Sequence, residues 1–172
     1  MFSARDPADI DRFFRGLAEY AFHERLGVVD PPLVDYVALL LVRFLRHDRP
    51  AAVLGCDAVA GGVPPIRAVE HLLAEVRGHA ADEAREEFRR IGDTTLFWSG
   101  LYPEAVAKPS RAGGDERLIG FREAGKRAYW LASTLEPDAA EAERLLLERL
   151  SHEYDLCVAG LAEVRRAWGD AA

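Results

Sequence analysis

From Leu147 to Trp168 the residues Leu147, Leu150, Tyr154, Cys157, Leu161, Val164 and Trp168 recur at steps of three and four without a break. A strand returns a side chain to the same face at every second residue, so three heptads of this spacing specify a helix. The pattern predicts one long helix from about residue 138 to Trp168. No alternation of period two runs for a useful length anywhere else, and no internal repeat is visible. Helices must therefore build the core.

The same spacing recurs upstream. Ile10, Phe13, Phe14, Leu17, Tyr20 and Ala21 share one face of a helix over residues 8 to 26, with Asp6 and Pro7 as cap and first turn and Gly27 as its end. Asp30, Pro31 and Pro32 start a second helix. Its residues 33 to 45 are apolar nearly all round apart from Asp35 and Arg43, which places it in the middle of the fold. Residues 48 to 63 mix Pro, Gly and Asp and read as a loop. A third helix runs from Ile66 to Gly78, and a fourth begins in ADEAREEFRR and continues through residues 92 to 102. Val106 to Arg117 reads as an exposed loop, followed by a fifth helix from about 117 to 134. The expected fold is all-α: a helical bundle of about six helices without significant sheet, formed by residues 1 to 172 as a single domain. At 172 residues roughly 70 % of the unfolded surface can be buried, enough for a core without disulfides or metal.

Charge excludes some partners. With 22 Lys and Arg against 29 Asp and Glu, the net charge of -7 repels a phosphate backbone, so nucleic acid is not an expected partner. Arg43, Arg46 and Arg49 cluster at a helix end, where cations complement the macrodipole. The longest apolar run, VALLLV at 37 to 42, is too short to span a bilayer, and the N-terminus lacks the apolar run of a signal peptide. No membrane partner is expected, and the expected location is cytoplasmic. Cys56 and Cys157 stand apart without a metal-finger spacing and read as reduced thiols.

No stretch names a reaction. Neither GCDAVAGGVPP nor RAGGDERL has the Gly-Lys-Ser/Thr end of a phosphate loop, and Ser99 lacks the strand-turn-helix setting of a nucleophile elbow. No catalytic residues are assigned, and the balance is against an enzyme. Three of the five histidines, His23, His79 and His152, follow a glutamate by four residues: Glu19, Glu75 and Glu148. Such pairs share a helix face and could converge on a transition metal, or they are ordinary surface pairs. His71 lies on the same stripe as Glu75 and His79. The metal candidates are therefore Glu75, His79, His71, Glu19 and His23; otherwise no cofactor is expected.

Residues 92 to 103 read GDTTLFWSGLYP, which is either a reactive corner or a packing device. As a continuation of the fourth helix, the stretch carries a small row of Gly92, Thr95 and Ser99. The fifth helix carries a matching row of Phe121, Gly125, Ala128 and Ala132. Two small faces predict one close helix crossing, with the Thr95 and Ser99 hydroxyls returned to their own helix. Together with Glu104 this stretch, and GKRAYW at 125 to 130, resemble a family of uncharacterised bacterial proteins that carry GDxxLFxSGxxPE-like and GxxAY-like segments. The resemblance covers about residues 88 to 131 and implies kinship without an activity.

The functional expectation is a small interaction or regulatory protein that acts by binding and self-associates, with itself or another protein as partner through an apolar helix face. The long final seam is the first candidate for that face. Trp98, Ser99, Tyr102, Tyr129 and Trp130 are the candidate ligand or interface residues, since large aromatics serve both cores and interfaces. A metal or small apolar ligand inside the bundle is the alternative, and an enzyme of unrecognised type the next.

Overall fold

The computed structural model describes residues 7–46, 69–70, 73–74, 76, 80–107, 114–135 and 140–171. Among the described residues there are seven α-helices, one π-helical segment and no strand. The fold is an all-α bundle, and no described helix is long and apolar enough to cross a membrane. The expected cap Asp6, the expected loop at 48 to 63, Arg49 and most of the expected third helix lie outside the described residues.

Helix α1 (Pro7–Glu19) begins on a proline, whose missing N–H costs nothing in a first turn. It runs directly into a π-helical segment, Tyr20–Arg25. The wider turn shifts the buried face: Ala21 and Phe22 are enclosed, whereas Tyr20, expected inside, is 48 % exposed. Gly27 then reverses the chain at a φ of 68°, where a β-carbon is disfavoured. Asp30 starts α2 (Pro31–Arg46) as expected, accepting a hydrogen bond from the Leu33 N–H at 3.5 Å. Arg149 reaches the same carboxylate at 2.5 Å.

Helix α2 is buried along most of its length, as expected, and helix α3 (Ala81–Leu101) holds an unbroken buried stretch, every residue from 91 to 97. Small side chains at Gly92, Thr94, Thr95, Ser99 and Gly100 let neighbours approach on several sides at once. Directly after it, α4 (Pro103–Ala107) replaces part of the expected loop, with Val106 buried. Helix α5 (Gly114–Thr134) starts earlier than the sequence suggested. It lies along α3, and its row Phe121, Gly125, Ala128 and Ala132 is buried against that helix and its neighbours.

The expected final helix is two: α6 (Glu141–His152) and α7 (Tyr154–Ala171), parted at Glu153. The seam crosses the interruption in register, because the Glu153 N–H still donates to Arg149 O at 2.7 Å and the Cys157 N–H to Glu153 O at 2.9 Å. Leu147, Leu150, Tyr154, Cys157, Leu161 and Val164 are all buried within the chain, and Trp168 packs edge-on against Phe14 at 5.3 Å. The seam is therefore intramolecular core and offers no face to a second copy. One connected hydrophobic cluster draws on α1, α2, α3, α5, α6 and α7.

Candidate functional site

Within GDTTLFWSGLYP the two glycines serve close packing. A β-carbon on Gly92 would stand 2.6 Å from the Tyr129 ring, and one on Gly125 would collide with Thr95 Oγ1 and lie 2.5 Å from the Tyr154 hydroxyl. Gly100 meets Leu161 of α7 in the same way. Thus α3 touches α5 and α7 through bare backbone, which no larger residue permits.

Beside this crossing stands a polar cluster that the sequence did not reveal. Asp93, 3 % exposed, receives the Tyr36 hydroxyl on Oδ1 at 2.5 Å and the Tyr129 hydroxyl on the same oxygen at 2.8 Å. Arg43 donates from Nη1 to Oδ2 at 3.0 Å. Burial pushes the Asp93 carboxyl above its ordinary range, while the two tyrosines, Arg43 and Arg89 draw it back down. Burial, with Asp93 beside them, pushes both phenols well above theirs, so they keep their protons and donate. Arg43, in the last turn of α2 as expected, is in addition the α2 partner of a buried acid. The one discernible signal was an arginine within an otherwise apolar row. The carboxylate is closed off by its own donors, and the arrangement clamps α2, α3 and α5 together.

A second group of hydroxyls lies along α3, with Thr95 and Ser99 toward α5 and α7. Thr94 donates to Arg90 O at 2.7 Å and Thr95 to Ile91 O at 2.9 Å, as expected for hydroxyls returned to their own helix. Ser99 does not follow them. Its Oγ faces the Tyr154 hydroxyl, as Thr95 does, but neither Ser99 Oγ nor Tyr154 Oη reaches hydrogen-bond geometry with a partner. Burial pushes the Tyr154 phenol up, so this group also stays protonated. Because Ser99 makes no bond whose loss would be felt, Ser99→Ala is expected to change stability by less than about 1 kcal/mol in urea unfolding. A loss well above that would assign the hydroxyl a bond it does not make here.

The aromatic candidates divide. Trp98 and Tyr102 lie 5.7 Å apart in a half-covered row that continues through Phe97 to Phe44, whose rings stack at 4.4 Å. The Arg165 guanidinium sits 5.6 Å above the Tyr102 ring and holds Glu104 by two bonds of 2.9 Å, fastening α4 to α7. Tyr129 is fully buried, whereas Trp130 turns outward, 49 % exposed.

Among the metal candidates, His71, Glu75 and His79 lie outside the described residues, as does Cys56. Glu19 is exposed, and the half-buried His23 has its Nε2 enclosed without a hydrogen-bond partner. Glu148 pairs with Arg144 at 3.2 Å, and His152 is exposed. No group of three or more His, Cys, Asp or Glu that could hold a metal forms among the described residues. Cys157 is a free, buried thiol that burial pushes up to about 12, so it is not a thiolate at neutral pH. No protein-family model, curated protein or solved structure matches the chain.

Proposed function

We propose that the protein acts by binding, and that it associates with itself through the outer face of α5. The observation that carries this reading is Trp130. Tryptophan is the residue most enriched at the energetic centres of interfaces, and it brings a large apolar area at little entropic cost. Here half of it remains in water although the bundle has a core to offer. Ile119, on the same line of α5, is 61 % exposed, so the tryptophan is not a solitary apolar residue on a charged surface.

Sedimentation equilibrium tests the reading. The mass is expected to rise with concentration from tens of micromolar upward, and Trp130→Ala is expected to abolish that rise while leaving the melting temperature unchanged, because an exposed ring contributes little to the fold. A wild-type chain that stays monomeric removes the reading. Association that survives Trp130→Ala moves it to another surface.

A further inference from the structure

We draw no further inference here: the strongest candidate, the buried hydroxyl cluster of Ser99 and Tyr154 where α3 meets α5 and α7, belongs to the close crossing already described, where the Tyr154 hydroxyl abuts the bare backbone of Gly125 and nothing among the described residues points to a ligand.

Discussion

Gly125→Ala is expected to destabilise the protein by about 1 to 3 kcal/mol in urea unfolding, although alanine is the better helix former by about 1 kcal/mol. The added β-carbon would occupy the space of Thr95 Oγ1 and crowd the Tyr154 hydroxyl. Neither neighbour can simply swing aside: Thr95 is committed to the carbonyls of Ile91 and Gly92, and Tyr154 is fully buried between helices. The two helices must separate, or a buried side chain must leave its rotamer. Gly16→Ala is the matching control. It lies in α1 with nothing within 4 Å of the β-carbon position, so the propensity gain should emerge there undiminished, as a stabilisation of about 0.5 to 1 kcal/mol. If both substitutions stabilise equally, the crossing is looser than described.

Asp93→Ala should cost more, about 3 to 5 kcal/mol, because it removes the acceptor of the Tyr36 and Tyr129 hydroxyls together, leaving both buried, and also takes away the carboxylate that Arg43 reaches. That is a large share of the 5 to 15 kcal/mol typical of folded domains, so the variant is expected to stay folded only in stabilising buffer. Asp93→Asn keeps the shape and isolates the charge. Since burial raises the folded-state pKa of Asp93 above the unfolded value, the protonated carboxyl is favoured by folding. Its stabilising contribution is full below the ordinary aspartate range, about 4, and is lost as pH rises through the folded-state value. The stability of the wild type relative to Asp93→Asn should therefore decline as pH is raised from about 4. A gap that widens instead would show the three donors outweighing burial.

How far the sequence discloses this fold depends on whether a feature is periodic. The crossing of α3 and α5 was legible because both of its faces are rows of small residues at helical spacing, Gly92 to Ser99 and Phe121 to Ala132. The break at Glu153 was not, since the interruption keeps its hydrogen bonds and leaves Leu150, Tyr154 and Cys157 in phase. The π-helical segment was hidden for a related reason: one widened turn looks like a regular helix until Tyr20 is found outside and Phe22 inside. The buried clamp was least legible of all, because its members stand at 36, 43, 93 and 129 on three helices, and only the folded chain brings them together. Of the binding candidates, the aromatic cluster was visible as composition, but which ring would face water depended on the phase of α5. Tyr129 and Trp130 are neighbours in sequence and opposite in fate.

Helix α3 carries its contacts as a tally of steps: Gly92 against Tyr129, Asp93 against Tyr36 and Arg43, Thr95 against Gly125, Phe97 against Phe44, and Gly100 against Leu161. Each residue advances the helix by about 100°, so adding or removing one position between Gly92 and Gly100 would swing everything beyond it a quarter turn or more. Gly100 would then leave Leu161 facing a side chain, and Phe97 would leave Phe44. Such a helix can exchange letters more readily than it can change length. Insertions and deletions in chains built this way should fall in the connections flanking α3 rather than within it, and a spliced or shuffled version that alters its length by one residue should fail to fold even if every residue retained is unchanged.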